Sequence, residues 1–305
     1  MTPHRQTITC LIGDPVDHSV SDVMFQYFAK KTGLNDYHHL KFGVPADNKN
    51  NLKISLEALA IFDIAGANVT LPYKETIMKH IQVVDDFVKK VGAVNTVVNR
   101  QGVFYGYNTD SVGAVKAIVN KIRPIRKSDR VMIFGAGGAA RAIIAGISDL
   151  TGEITVLSRE ADAVRAKKLK NDFARFKINI KLAPLSDSSI ISTLKTSDII
   201  INATPVGMYP NCRGTLLRRA HIESLLKTGM NIRNKVFFDA VFNPFLTDFL
   251  KLAAEYGGKI CPGIYMMIYQ GIAAFKLWTG KDFPEKDMRK IYILLRNRIN
   301  SIYEK

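Results

Sequence analysis

Residues that could do chemistry stand out at three places. The segment Asn68-Val-Thr70-Leu-Pro72-Tyr-Lys74 ends a strand and then places a proline and a lysine close together. Proline suits the first turn of a helix, where its missing N–H would have no partner anyway, so Lys74 is expected in that turn with its cation facing the positive pole. Such a placement costs an exposed lysine about 0.3–1 kcal/mol. A lysine kept there against its own stability reads as a proton-transfer group; the plain alternative is a surface lysine with its charge in water. Gly106-Tyr-Asn108-Thr109-Asp110 ends another strand before a helix expected near Ser111. Taken alone, Asp110 reads as an ordinary capping or first-turn acid.

The third place is a glycine-rich turn. Val131-Met-Ile-Phe134 has the pattern of a buried strand and runs into Gly135-Ala136-Gly137-Gly138-Ala139-Ala140, after which a helical pattern begins. In this setting Gly135 permits the tight turn, Gly137 lets a pyrophosphate approach the backbone, and Ala140 is small enough for close helix–strand packing. The helix start offers unpaired N–H groups and a positive dipole end to phosphates. At the end of the next strand stand Ser158-Arg159-Glu160. An NAD site usually has an acid here to bond the ribose 2′-hydroxyl, whereas a guanidinium clamps a 2′-phosphate. Arg159 therefore favours NADP, and Glu160 leaves NAD open.

The elements that must position these residues alternate. Short β-branched runs at 8–12, 67–70, 96–98, 131–134, 154–157, 178–182, 199–202 and 236–238 read as strands, and helical periods at 51–59, 139–150 and 164–176 lie among them. Alternation of this kind implies an α/β protein with parallel sheets. Residues 121–130, with Pro124 and several charges, read as a hinge. The last 40 residues read as helical, with Pro284 opening the final helix, and are expected to return to the first lobe.

With 305 residues, 47% of them hydrophobic, the chain is long enough for about two ordinary domains and too apolar for disorder. No apolar run reaches the roughly 20 residues of a membrane span; the richest, 264–278, is broken by Gln270 and Lys276. Residues 1–6 lead into too short an apolar run for a secretory leader. Cys10, Cys212 and Cys261 show neither metal-ligand spacing nor a disulfide framework, so a cytoplasmic protein without a metal is expected. The formal net charge of +16 is the odd feature. It fits nucleic acid, an anionic surface or anionic small molecules. The basic stretches 116–130, 159–181 and 286–305 lie on helical patterns without aromatic stacking residues, which reads as solvated faces and gives no reason to expect a nucleic-acid or membrane partner.

Taken in order, the motifs resemble one family. Gly13-Asp-Pro15-Val-Asp-His18-Ser19-Val-Ser21, the 68–74 segment, Gly92-Ala-Val-Asn95-Thr96 and Asn108-Thr109-Asp110 are followed by the glycine turn, by Asn202-Ala-Thr-Pro-Val-Gly207-Met208 and by Gly263-Ile-Tyr-Met-Met-Ile-Tyr-Gln270. Over residues 8–280 or so the chain resembles the shikimate dehydrogenases, a family that includes quinate/shikimate enzymes. The resemblance implies a two-lobed α/β fold. Its substrate-binding and catalytic domain would comprise 1–112 and 263–305, and its NADP-binding Rossmann-like domain 113–262. It implies NADPH-dependent, reversible reduction of 3-dehydroshikimate to shikimate, in the route to aromatic amino acids. Lys74 and Asp110 would form the catalytic pair. Ser19 and Ser21 would take the substrate carboxylate, and Thr70, Asn95, Asp110 and Gln270 the ring hydroxyls. Gly135, Ala136, Gly137, Gly138, Ala139, Ser158 and Arg159 would hold the cofactor, with Ala240 and Gly263 beside the nicotinamide.

Three departures from the family pattern bear on specificity. Asp22, Phe25 and Gln26 replace the proline and His-Asn that usually follow the first motif. Phe242 stands where a tyrosine is common. Ala163 replaces a basic residue after Arg159, and Arg165 falls on another helical face. Asp22 reads either as a helix-start acid or as an anion that alters carboxylate binding. A quinate/shikimate enzyme using NAD or NADP, and a basic nucleic-acid-binding protein on a Rossmann scaffold, remain the alternatives. A monomer or homodimer is expected.

Overall fold

The computed structural model describes residues 6–17 and 19–303. His18 of the first motif, residues 1–5 and residues 304–305 lie outside them. The described chain forms two compact units. One runs up to Val112 and resumes at Ile268; the other is Gly113–Met267.

The first unit is built on a six-stranded sheet of β1 (Thr7–Gly13), β2 (Tyr37–Gly43), β3 (Gly66–Val69), β4 (Val83–Val84), β5 (Thr96–Arg100) and β6 (Val103–Tyr107), in the order β2-β1-β3-β5-β6-β4. It is mixed, where a parallel sheet was expected. β1 pairs in parallel with β2 and β3, but β5 runs antiparallel to both β3 and β6. The cause is local. Gln101 and Gly102 both take positive φ, 54° and 84°, and a two-residue turn of that kind can join only antiparallel strands.

Helices α1 (Ser21–Thr32), α2 (Asn51–Ile61) and α3 (Asp86–Val91) belong to the same unit. α2 buries Leu52, Leu56 and Leu59 on one stripe against Ile12, Val69 and Val97. Phe25 and Phe28 of α1 pack on Phe275, and Trp278 donates from its indole Nε1 to the carbonyl of Val97 at 2.9 Å. The chain's last helices therefore do return to this unit. Pro284 precedes a single 3₁₀ turn, Glu285–Asp287, which leads into the final helix.

The second unit has a six-stranded, wholly parallel sheet of β7 (Arg130–Phe134), β8 (Glu153–Ser158), β9 (Ile180–Pro184), β10 (Ile199–Asn202), β11 (Val236–Asp239) and β12 (Lys259–Cys261). The order is β12-β11-β10-β7-β8-β9. Every residue of β10 and β11 is buried, as continuous apolar strands covered on both faces require. The chain also contains α4 (Asp110–Lys121), α5 (Gly138–Ile147), α6 (Ala163–Ala174), α7 (Asp187–Thr196), α8 (Arg219–Leu226), α9 (Asp248–Glu255), α10 (Gly263–Thr279) and α11 (Met288–Tyr303). Strand order reverses between β7 and β10, the switch point at which such sheets receive ligands. No described helix is long and apolar enough to cross a membrane.

Candidate active site

In the first unit Lys74 does not stand where the helix argument put it. Pro72 lies in a turn, and the short 3₁₀ helix Thr76–His80 begins only after Lys74, so the lysine is not in the first turn of a helix. Its position is fixed by backbone instead. Tyr73 N–H donates to Thr70 O at 3.0 Å, and Val94 N–H donates to Lys74 O at 2.8 Å. Tyr73 is held in turn by its hydroxyl, which donates to Val44 O at 2.7 Å. From this base Lys74 Nζ reaches Asp110 Oδ2 at 2.6 Å, with the two side chains 19% and 8% exposed.

Asp110 is the first residue of α4, and the capping work belongs to another side chain. Asn108 Oδ1 accepts from Ser111 N–H at 3.2 Å while Asn108 Nδ2 anchors on Ala93 O at 2.9 Å. The Asp110 carboxylate is thus released to face the lysine. An acid in the first turn of a helix is itself favoured by the dipole, so the pair is assembled without opposing local structure.

Around it runs a buried polar ladder. Asn68 Nδ2 donates to Thr96 Oγ1 at 3.2 Å, and the Thr96 and Thr109 hydroxyls are 3.1 Å apart. Asn95 Oδ1 accepts from Thr109 N–H at 2.7 Å, and Asn95 Nδ2 is 3.4 Å from Gln270 Oε1. Asn95, in the bend before β5, and Gln270, on α10, are thereby brought together. Thr96 and Thr109, which the sequence reading did not single out as site residues, hold them there. Buried polar groups left unpaired would cost about 1–3 kcal/mol each, so this ladder fixes the amide orientations.

Ser19 and Ser21 form a second group. Ser19 Oγ lies 3.1 Å from Ser21 Oγ and also accepts from Ser21 N–H at 3.2 Å. Thr70 is tied to the same neighbourhood by backbone: Thr70 N–H donates to Ile12 O, and Asp14 N–H to Leu71 O, both at 2.9 Å. A Cβ on Gly13 would strike the Thr70 methyl, so only glycine lets the two loops lie this close.

In the second unit the glycine turn lies between β7 and α5 at the switch point. Gly135 has φ +97°, and a Cβ there would come 2.7 Å from Thr204 Cγ2. Gly137, whose carbonyl accepts from Arg141 N–H at 3.0 Å, faces open space, and Ala140 is fully buried. Open backbone at the second glycine, a closed packing contact at Ala140 and a helix N-terminus beyond are the fit a pyrophosphate needs. Ala136, Gly138 and Ala139 complete the turn. Buried Arg141 donates to Asp172 of α6 at 2.9 Å and steadies the helix that starts there.

Ser158 ends β8, and Arg159 follows with its side chain 72% exposed, its Nε 2.7 Å from Asp162 Oδ2. The exposed guanidinium can reach an incoming 2′-phosphate only by exchanging or sharing Asp162. Glu160 and Asp162 lie in one 3₁₀ turn, and α6 begins at Ala163.

A further residue escaped the sequence reading. Asp239, at the end of β11, is fully buried. It accepts from Thr247 Oγ1 at 2.6 Å, Val241 N–H at 2.9 Å and Asn202 Nδ2 at 3.0 Å. Burial pushes its carboxyl up to about 6, against these hydrogen bonds, which hold it down. Asn202 also receives Thr204 Oγ1 at 2.7 Å, and Ala240 N–H donates to Asn202 O at 2.9 Å. Asp239 thus organises the loops that carry Ala240 and the 202–208 motif. Gly263 lies against them, with Asp239 O only 2.7 Å from where its Cβ would be.

A glycine turn at the switch point of a parallel sheet, in one unit, and the Lys74–Asp110 contact, in the other, are features suited to one class, a dinucleotide-dependent α/β oxidoreductase. Comparison with known proteins narrows it. Residues 11–97 match the shikimate dehydrogenase substrate-binding domain, and residues 263–291 match the shikimate 5′-dehydrogenase C-terminal domain. The shikimate dehydrogenase (NADP(+)) of Methanocaldococcus jannaschii is 37% identical over 285 residues, covering 93% of this chain and 95% of that protein. The crystal structure of shikimate 5-dehydrogenase from Listeria monocytogenes in complex with shikimate and NAD is 30% identical, with a TM-score of 0.82 over 96% of this chain and 98% of that one. The Thermus thermophilus enzyme in complex with NADP(H) and shikimate gives 27% identity and a TM-score of 0.79, over 96% and 100%. The chain belongs to the shikimate dehydrogenase family.

Proposed function

We propose that this oxidoreductase reduces 3-dehydroshikimate reversibly to shikimate with NADPH, in the cytoplasm and on the route to aromatic amino acids. Bound NADP would supply or accept the hydride. The chain's own residues hold the substrate and move the proton. Ser19 and Ser21 donate their hydroxyls to the substrate carboxylate, while Thr70, Asn95, Asp110 and Gln270 hold the ring hydroxyls. In reduction, Lys74 Nζ gives a proton to the ketone oxygen as hydride reaches the carbon, and solvent reprotonates the amine. In oxidation the neutral amine takes the hydroxyl proton. Asp110 Oδ2 keeps the nitrogen aimed throughout. Gly135, Ala136, Gly137, Gly138 and Ala139 cradle the pyrophosphate, Ser158 and Arg159 meet the 2′-phosphate, and Ala240 and Gly263 border the nicotinamide.

The observation that carries this reading is the Lys74–Asp110 contact at 2.6 Å, made by a carboxylate that Asn108 has relieved of capping. Two observations favour a broader enzyme. Asp162 competes for Arg159, which weakens discrimination against NAD, and Phe242 offers no hydroxyl to the substrate. Purified protein assayed with shikimate or quinate and NADP or NAD, followed at the reduced-nicotinamide absorbance, decides. Fastest turnover is expected with shikimate and NADP; faster turnover with quinate or NAD would favour the broader enzyme. No turnover with any pair overturns the enzymatic reading and returns attention to the basic surface. That surface carries no nucleic-acid role in this proposal, and a monomer or homodimer is the state to look for by sedimentation.

Lys74→Ala is expected to lower kcat by about 10²–10⁴-fold, the usual worth of acid–base help, with KM for NADP unchanged. A kcat within about tenfold of wild type would remove Lys74 from the chemistry.

A further inference from the structure

Strand β2 lies at the sheet edge, and its side chains alternate. Tyr37 and His39 are buried, and Lys41 follows on the same face. Lys41 is paired in register with Leu11 of β1, two residues before Gly13 and the serine loop. Its stem is largely covered, with 24% of the side chain exposed. Its ammonium donates to two backbone carbonyls, Ser19 O at 3.0 Å and Asp17 O at 3.2 Å. Asp22 Oδ2, on the first turn of α1, lies 3.8 Å away, close enough to feel the charge but outside hydrogen-bond distance. One cation therefore touches the backbone of the residue whose hydroxyl pairs with Ser21, and faces the one acid in that helix turn.

Asp22 alone would be a poor neighbour for a bound carboxylate. Two anions near one loop repel, and in the partly desolvated environment of a site the repulsion is stronger than in water. Lys41 answers both needs of the loop: it ties down the carbonyls of residues 17 and 19, and it cancels the charge of residue 22.

We propose that Lys41 is a positioning residue for the substrate carboxylate, holding the Ser19–Ser21 hydroxyls in place and neutralising Asp22. The proposal rests on the reading that those serines receive a carboxylate, and it makes Asp22 and Lys41 a coupled pair. Asp22 is tolerated beside the carboxylate site because Lys41 faces it from β2.

The test is steady-state kinetics of Lys41→Met, Asp22→Asn and the double variant, with shikimate and with its methyl ester, beside Lys41→Arg. Lys41→Met is expected to raise KM for shikimate about fivefold, the upper worth of a partly exposed ion pair, while kcat and KM for NADP stay near wild type. KM for the neutral ester should rise less, since only the positioning of the serines is lost for it. Adding Asp22→Asn should recover most of the loss, and Lys41→Arg should keep the wild-type KM. Asp22→Asn alone, which leaves the lysine in place, should lower KM for shikimate, most at low salt. An unchanged shikimate KM in Lys41→Met, an equal rise for ester and acid, or a double variant no better than Lys41→Met overturns the proposal. If Lys41→Met does not fold, the salt-dependent KM of Asp22→Asn decides alone, and a value equal to or above wild type overturns it. Failure of the functional reading is distinguishable, because wild-type protein would then show no turnover of shikimate at all.

Discussion

Asp239→Asn gives a prediction whose sign and size both follow from burial. The carboxyl is pushed up to about 6 by the loss of solvent, whereas in the unfolded chain an aspartate titrates near 3.9. The folded state therefore holds its proton to higher pH than the unfolded state does. Stability from this group is fully present below the unfolded value and is lost as pH rises through about 6. A gap of about two pKa units is worth about 3 kcal/mol, of which about 2 kcal/mol falls between pH 4 and 7. Asparagine keeps the shape. Its carbonyl can accept from Asn202 and Val241 in place of Oδ1, and its amide can donate to the Thr247 hydroxyl, which reverses its role. Whatever this exchange costs does not vary with pH. Thermal midpoints of wild type and Asp239→Asn across pH 4 to 7 should thus differ by a changing amount. Wild type should lose ground on the variant by several degrees toward pH 7, since about 1 kcal/mol moves the midpoint of a unit this size by about 2–4 °C. A constant difference across that range would refute the claim that burial penalises the charge. A gain for wild type with rising pH would show that the three donors outweigh desolvation.

The cofactor side yields two further expectations. Arg159→Ala should reduce kcat/KM with NADP by about 10- to 100-fold, as loss of a charge-assisted phosphate clamp does, and leave NAD nearly unchanged; equal losses with both would mean that Arg159 does not meet the 2′-phosphate. Gly135→Ala places a side chain at φ +97° and 2.7 Å from Thr204 Cγ2. It should cost about 1–3 kcal/mol of stability and raise KM for NADP, both readable by denaturation and initial rates; a variant with wild-type values would show that the turn relaxes freely.

The central strands β7, β10 and β11 of the second sheet were legible because they are buried almost throughout and read as apolar runs. Residues 199–202 coincide with β10, and 131–134 fall one residue short of β7. β2 was not legible: it is an edge strand whose residues His38, His39 and Lys41 carry no apolar pattern. β12 is only three residues long. The parallel reading of the first sheet failed at Gln101-Gly102, where a hairpin turn reverses the chain. Lys74 and Asp110 stand out in the sequence, but the expected first-turn place for the lysine is not where it stands: it lies in a turn before the 3₁₀ helix, and backbone bonds hold its loop. Asn108 as cap, Thr96 and Thr109 as supports, and Lys41 opposite Asp22 all depend on partners distant in the chain. Local propensity does not encode such pairings.

The bond from Trp278 to Val97 spans 181 positions of sequence, and it sets an order of events during synthesis. Gly113–Met267 is contiguous and can complete its core as soon as it leaves the ribosome, whereas the first unit lacks the Phe275 and Trp278 cover for Phe25 until the last helices emerge. The usual sequence of N-terminal domain first is reversed. The N-terminal sheet waits with one aromatic face open while the later unit forms, and a chain stopped at Met267 would carry the whole second unit with Phe25 of the first still uncovered.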